Sequence, residues 1–67
     1  MSYTFTETSS GTTVTGDPVE AEATVRSWFP DASTAVDQWL DDLFLQLRED
    51  RIDEPAATAL GLHVAAA

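Results

Sequence analysis

Few side chains in this chain of 67 residues could act as catalytic groups. His63 is the only histidine, and there is no cysteine or lysine. A Ser-His-Asp relay would require His63 to meet Ser9, Ser10, Ser27 or Ser33, and no G-x-S-x-G frame surrounds any of these serines. The sequence therefore predicts no nucleophilic active site, and we expect a protein that is not an enzyme.

Carboxylates are plentiful, and two arrangements of them could do chemistry. Asp37 and Asp41 are spaced i and i+4, so on a helix they would lie on one face and could exchange a proton with a substrate. Such acid–base catalysis requires a cleft that shifts a pKa, and a chain this small rarely encloses one. The acidic stretch 49–54 lacks the ligand order and the glycine turn of an EF-hand loop. We expect solvated acids, with no metal site and no cofactor.

Acidic residues dominate the charge of the chain. Twelve Asp and Glu stand against three Arg, which gives a formal net charge of -9. A phosphate backbone or an anionic membrane surface would repel such a chain, so we expect no direct nucleic-acid binding and no membrane attachment. The charge instead favours a basic protein partner, solubility in high salt or mimicry of a polyanion. The simplest interpretation is that the acids only keep the surface soluble.

Size and composition leave association as the available source of extra stability. A chain of this length buries only about 60% of the surface that it exposes when unfolded, and disulfides are excluded because there is no cysteine. The segment MSYTFTET has neither a basic n-region nor an apolar h-region, so no cleaved signal peptide is predicted. We expect the protein to act where it is made.

The first residues of the chain alternate in the manner of β-strands. Tyr3 and Phe5 lie on one side of the first stretch, and a second stretch rich in β-branched residues follows a short loop that contains Gly11. This order predicts a β-hairpin over residues 3–15, with Val14 also facing the core. A lone hairpin is marginal in water, so it must pack on helices or pair with strands of another chain.

Two helices are predicted after the hairpin. Asp17 followed by proline is typical of a helix start, and Pro30 should stop that helix, which predicts a first helix over residues 18–29. Thr34, with an aspartate three residues later, resembles a second capping box and opens a longer helix over residues 34–51.

An apolar stripe along the longer helix should be buried. Its members are Val36, Trp39, Leu40, Leu43, Phe44 and Leu47. The connection between the helices is short, so they should be neighbours, with Trp28 and Phe29 close to the stripe. These side chains and one face of the hairpin form the predicted core.

The C-terminal part should hold one further short helix. Pro55 at a first helical position and Gly61 just past the end predict a helix over residues 55–60. Residues 63–67 have little to hold them, and we expect them to fray unless a partner covers them. The predicted fold class is α+β: one small domain over 1–67, with an N-terminal β-hairpin, two helices and a short C-terminal helix.

Leu45 is apolar at a position where the helix gives it no internal contact. Helical geometry turns it about 180° away from Val36 and places it among acids. Ile52, seven residues on, would share that side if the helix reaches it, and Arg48 could add a paired charge there. One exposed leucine is common, but Leu45 and Ile52 together would give the helix a second apolar side. Leu45, Arg48 and Ile52 are therefore predicted to contact a partner.

The hairpin offers a second contact surface. Both strands of an isolated hairpin are edges, and their unpaired backbone groups can accept a strand from another chain. In the alternative arrangement, a helix or the tail covers one edge. The residues predicted to contact a partner here are Thr4, Thr6, Thr13 and Thr15.

The leading hypothesis is a non-enzymatic assembly protein that docks onto a larger protein complex or associates with itself. In composition, a short, acidic, lysine-free chain resembles small phage accessory proteins, such as minor capsid or decoration subunits. That likeness implies an adhesive role, in the cytoplasm of the producing cell or in the assembled virion. The alternative is an inhibitor that mimics nucleic acid and occupies the basic groove of a DNA-binding protein.

Overall fold

The computed structural model describes every residue from Met1 to Ala67. Strands and helices follow one another in the order β-β-α-α-α-β. They are β1 (Tyr3–Glu7), β2 (Thr13–Gly16), α1 (Pro18–Ser27), α2 (Thr34–Leu47), α3 (Glu54–Leu60) and β3 (Leu62–Ala66). The predicted α+β class is confirmed, and the chain ends in a strand that follows the short helix.

The sheet is three-stranded and antiparallel, with β1 in the centre and the order β2-β1-β3. The predicted hairpin is confirmed, since Tyr3 pairs with Gly16 and Phe5 with Val14. Its loop closes at Gly11, which has a φ of 75°, a conformation that glycine adopts without a steric penalty.

The expectation that residues 63–67 fray is wrong, because most of them belong to β3. Phe5 pairs with Val64 and Glu7 with Leu62 along the free side of the hairpin. Val64 and Leu62 are buried, so both the backbone ladder and the core hold this segment. β1 therefore has a strand on each side, which confirms the alternative arrangement in which the tail covers one edge of the hairpin. Of the two hairpin strands, β2 alone remains an edge.

α1 begins where the sequence predicts and ends slightly earlier. The Val19 N–H donates to Asp17 Oδ1 at 2.9 Å, which confirms Asp17 as the N-cap. The helix ends at Ser27, not at residue 29, and the Phe29 N–H then donates to the Arg26 carbonyl at 3.0 Å. This tighter closing turn satisfies a carbonyl that the helix end would otherwise leave free.

α2 begins at Thr34, as predicted, but its N-cap and its end differ from the prediction. Ser33, not Thr34, is the N-cap, and its Oγ accepts a first-turn N–H at 3.2 Å. The helix ends at Leu47, not at Arg51, because Asp50 adopts a positive φ of 58° and turns the chain away from the helix axis. Aspartate is among the few residues that enter this region readily.

α3 lies close to its predicted range of 55–60. Asp53 caps it, with its Oδ1 accepting the Ala56 N–H at 3.1 Å. Gly61 ends it in the left-handed conformation, and the Thr8 N–H and hydroxyl both donate to the Gly61 carbonyl at 3.0 Å. The end of α3 is thereby tied to the hairpin loop.

Replacing Gly61 by alanine should lower the free energy of unfolding by about 1 kcal/mol, because a Cβ is disfavoured at its φ of 70°. A methyl group there would meet only Thr8 Oγ1 at 4.0 Å, so the cost is conformational and not steric. Gly16→Ala is the matched control, since Gly16 has no positive φ and an equally open environment. Urea unfolding followed by circular dichroism compares the two; equal midpoints would contradict the prediction.

The core lies between the helices and one face of the sheet, and no polar side chain is buried in it. Trp28, Phe29 and Val36 were predicted to belong to the core; they are partly buried and pack against its margin. Trp39 is 38% exposed and lies outside the core, so its placement in the buried stripe is wrong. It sits at the border of the apolar arc of α2, about 80° from its centre. The buried residues of the core are Tyr3, Phe5, Ala21, Val25, Leu40, Leu43, Phe44, Leu47, Ala56, Ala57, Leu60, Leu62 and Val64.

Candidate functional site

Ion pairs join α1 and α2, which run antiparallel. Arg26, near the end of α1, contacts Asp41 at 2.7 Å and Glu22 at 2.9 Å. Arg48, just past the end of α2, reaches back to Glu22 at 3.4 Å. We call these four residues the interhelical charge network.

Arg26 is the centre of this network. Its hydrogen bond to Asp41 and, to a smaller extent, its hydrogen bond to Glu22 raise the pKa of the guanidinium above its ordinary value. Burial acts in the opposite direction and has a smaller effect. A raised pKa in the folded state stabilises the fold below the unfolded pKa, and that contribution is lost only as the pH rises through the folded pKa. The arginine therefore stays charged at neutral pH, and α1 remains linked to α2.

Exchanging Arg26 for methionine, which keeps the apolar stem, should cost no more than about 1 kcal/mol, because the pairs are partly exposed and screened by water. The cost should shrink in 1 M salt, where the screening length is about 3 Å. Arg51→Met is the matched control, since the Arg51–Glu49 pair is largely exposed and joins no two helices. Urea unfolding at low and high salt measures both. If Arg26→Met lowered the free energy of unfolding equally at low and high salt, the ion pairs would contribute nothing to stability.

Exposed apolar side chains accompany the charge network. Leu45 is 57% exposed, Val19 67% and Met1 73%. On α1, Val19 precedes Glu22 by three residues, and on α2, Leu45 precedes Arg48 by three, so each lies on the same stripe of its helix as a member of the network. Exposed apolar and charged residues thus share one side of the helical layer.

Two shallow cavities lie along this side. One, of about 200 Å³, opens between the start of α1 and the end of α2, and the other, of about 220 Å³, lies over the network itself. Arg48 lines both cavities. We call the two together the α1–α2 groove, and it is lined by Met1, Asp17, Pro18, Val19, Glu22, Arg26, Asp41, Phe44, Leu45, Leu47, Arg48 and Asp50.

Three residues of the long helix were predicted to contact a partner. Two of them line this groove, and one does not. Leu45 and Arg48 lie side by side along it. Ile52 is not on the helix, because α2 ends at Leu47, and its side chain packs against the core. The prediction that Ile52 shares a side with Leu45 is therefore wrong.

The four threonines predicted to contact a partner project from the outer face of the sheet, opposite the helices. Thr4 pairs with Thr15, and their hydroxyl oxygens are 3.0 Å apart; Thr6 pairs with Thr13 in the same register. Only Thr13 and Thr15, on β2, lie at a free edge, whereas Thr4 and Thr6 belong to the central strand. His63 and Ala65 of β3 complete this face.

Charge is distributed unevenly between the two faces of the molecule. The paired outer positions of the sheet carry threonine, alanine and one histidine, and no carboxylate. Of the three arginines, each is ion-paired with a glutamate or aspartate of the same chain. The helical layer and its turns therefore carry most of the net negative charge, on the side where the α1–α2 groove lies.

The structure separates the groups that a serine relay would need. His63 lies on the outer face of the sheet, beside Thr6, whereas Ser27 and Ser33 sit at helix ends in the opposite layer. Ser9 and Ser10 donate to the Glu7 carboxylate within the hairpin loop. No group of three His, Cys, Asp or Glu is placed to hold a metal ion.

Val19 is an exposed apolar residue of the groove that was not predicted to contact a partner. The available signal was its position on the helix, about 130° from the face that Ala21 and Val25 bury and on the stripe of Glu22 and Arg26. An apolar residue placed so, next to a charged stripe, has the same pattern as Leu45 on α2.

The comparisons with known proteins add no relative to this description. None of the helices has the length and the apolar character needed to cross a lipid bilayer. No family model, no curated protein and no solved structure matches the chain.

Proposed function

We propose that this protein is a non-enzymatic assembly protein that docks onto a larger protein complex through the α1–α2 groove. Leu45 carries the proposal, because it is 57% exposed within a row of charged side chains. Complete burial of a leucine side chain contributes about 1.5–3 kcal/mol, so covering the exposed part of Leu45 with a partner would contribute about 1–2 kcal/mol.

The surroundings of Leu45 support this role. Asp41 and Arg48 flank it along the helix, and Asp41 is held by its ion pair with Arg26 of α1. An apolar side chain inside a polar rim resembles the arrangement of binding hot spots, in which the rim keeps water away from the central contact. Val19 and Met1 extend the apolar contact toward the other end of the groove.

The free edge of β2 provides a second contact in this proposal. No residue from Thr13 to Gly16 is charged, and Thr13 and Thr15 lie at the outside of the sheet. Such an edge can accept a strand of a neighbouring subunit. A protein with two separate contacts can bridge subunits, as a capsid decoration or minor capsid protein of a phage would, and we propose that setting on the likeness in composition.

The substitution Leu45→Asp should abolish partner capture, because a carboxylate cannot replace the apolar contact. Tagged wild-type, Leu45→Asp and Thr24→Asp proteins would be incubated with lysate of the source cells, and the captured proteins identified by mass spectrometry. Thr24 is exposed on α1 outside the groove and receives the same added charge, so capture should persist there. Circular dichroism would check that all three proteins fold.

Two results would contradict the assembly role. The first is a wild-type protein that elutes as a stable monomer and captures no protein. The second is a captured protein that Leu45→Asp and Thr24→Asp retain equally, because docking would then use another surface.

An inhibitor that mimics nucleic acid is the second candidate function. The observation in its favour is that every arginine is already ion-paired, so the remaining carboxylates of the helical layer have no cation of their own, except Asp17 beside the N-terminal amine. This function predicts binding to a basic DNA-binding protein that weakens steeply with salt and is competed by duplex DNA. Partner binding that is insensitive to salt would argue against it.

A further inference from the structure

The chemistry of the α1–α2 groove indicates which kind of partner segment it accepts. We propose that a basic amphipathic helix lies in the groove, packs an apolar side chain on Leu45 and displaces Arg48 from Glu22. This inference rests on the proposed docking function and adds the chemistry of the partner.

Arg48 is the residue whose movement would open the groove. Its contact with Glu22 is 3.4 Å, the longest of the interhelical pairs, and its side chain is 58% exposed. Because Arg48 lines both cavities, rotating its side chain outward would join them into one continuous depression. Arg26 would stay in place, since it holds Asp41 at 2.7 Å and Glu22 at 2.9 Å.

Charge complementarity selects a basic segment over an acidic or neutral one. The chain has a net charge of -9, and each arginine is already neutralised by a carboxylate of the same chain. When Arg48 leaves, Glu22 Oε1 loses its partner. Asp50 has no ion pair, and Asp41 keeps one oxygen free while Arg26 binds the other. Lysine or arginine side chains of the partner would satisfy these oxygens.

The geometry of the groove favours a helix as its occupant. The groove lies between two antiparallel helices, the arrangement in which an amphipathic helix can place its apolar face between two ridges. From Asp41 to Arg48, α2 advances about 10 Å, which corresponds to roughly two helical turns of a partner. One anchor would contact Leu45, and a second, one or two turns away, would reach Val19 and Met1.

A designed peptide tests this inference without knowledge of the natural partner. The probe is a fluorescent peptide of leucine and lysine, about five turns long, with leucines at helical spacing. A scrambled peptide of the same composition has equal charge and no apolar face. Fluorescence anisotropy should give a Kd for the helical peptide at least about tenfold below that of the scrambled one.

Variants locate the binding. Leu45→Gln, which leaves the net charge unchanged, should weaken binding about tenfold, and Thr24→Gln should leave it unaltered. Arg48→Ala should tighten binding several-fold, because it removes a competing cation and opens the groove. Equal affinity for the two peptides, or no loss with Leu45→Gln, would overturn the proposal; weaker binding with Arg48→Ala would overturn the displacement of Arg48.

The outcomes separate this inference from the proposed function. If Leu45→Asp loses its partner from lysate while the helical peptide is not preferred, docking through the groove stands and the basic-helix chemistry is wrong. If the peptide result depends on Leu45 while lysate capture does not, the groove chemistry stands and the docking function is wrong.

Discussion

Alanine in place of Phe5 is expected to lower the free energy of unfolding by about 3–5 kcal/mol. Phe5 is 0% exposed on the central strand, and its ring stacks on that of Phe44 with centroids 5.6 Å apart. Domains of this size have a total stability of only about 3–5 kcal/mol from their core. The variant should therefore be largely unfolded in buffer.

Far-UV circular dichroism and urea unfolding measure this effect. Leu45→Ala is the matched control, since it also truncates a large apolar side chain, but at an exposed position, where the expected loss is within about 0.5 kcal/mol. A Phe5→Ala protein with the urea midpoint of the wild type would contradict the central place of this ring.

The substitution Val64→Asp should be at least as damaging. Val64 is 3% exposed and faces the core from β3, where it is paired with Phe5. An unpaired charge cannot be hydrated there, and such changes belong to the class that costs more than about 4 kcal/mol. We expect loss of the cooperative unfolding transition, and not merely a local opening of the C-terminal segment.

Ala65→Asp separates this prediction from a general intolerance of charge in β3. Ala65 is the next residue, but it lies on the outer face of the sheet beside Thr4, where water can reach a carboxylate. Ala65→Asp should lower the free energy of unfolding by no more than about 1 kcal/mol, which is the range of β-propensity effects. If the two variants unfold at the same urea concentration, β3 does not contribute to the core as described.

The elements whose signals are local could be predicted from sequence. Asp17, Pro55 and Gly61 act within one turn of the helix that they begin or end, so α1 and α3 were located to within two residues at each end. Gly11 likewise marked the hairpin loop within its own neighbourhood. In each case, the side chain or the backbone freedom of one residue decides the local conformation.

β3 could not be predicted in this way, because its reason to be a strand lies in β1. Half of residues 62–67 are alanine, which has little preference for strands, and only Leu62 and Val64 alternate. The pairing of Val64 with Phe5 joins opposite ends of the chain, and no window of local sequence contains both partners. Burial against the tertiary core decided the conformation.

The candidate site was predictable where it depended on helix geometry alone. Leu45 is exposed because it lies opposite the buried stripe, which follows from helical spacing. Ile52 was misplaced because one backbone conformation, the positive φ of Asp50, ends the helical register before it. The groove itself depends on how α1 and α2 pack, and the ion pair between Arg26 and Asp41 is visible only once they meet.

The central position of β1 also has a consequence for folding in time. During synthesis β1 is made first and β3 last, so the middle strand of the sheet has only β2 beside it until the end of the domain is available. Contacts between such distant segments form slowly, because closing a long loop costs entropy before the new contacts can stabilise the fold. In that interval Phe5 and the unpaired side of β1 are open to other chains, which makes the newly made protein most vulnerable to misassembly just before its last strand docks.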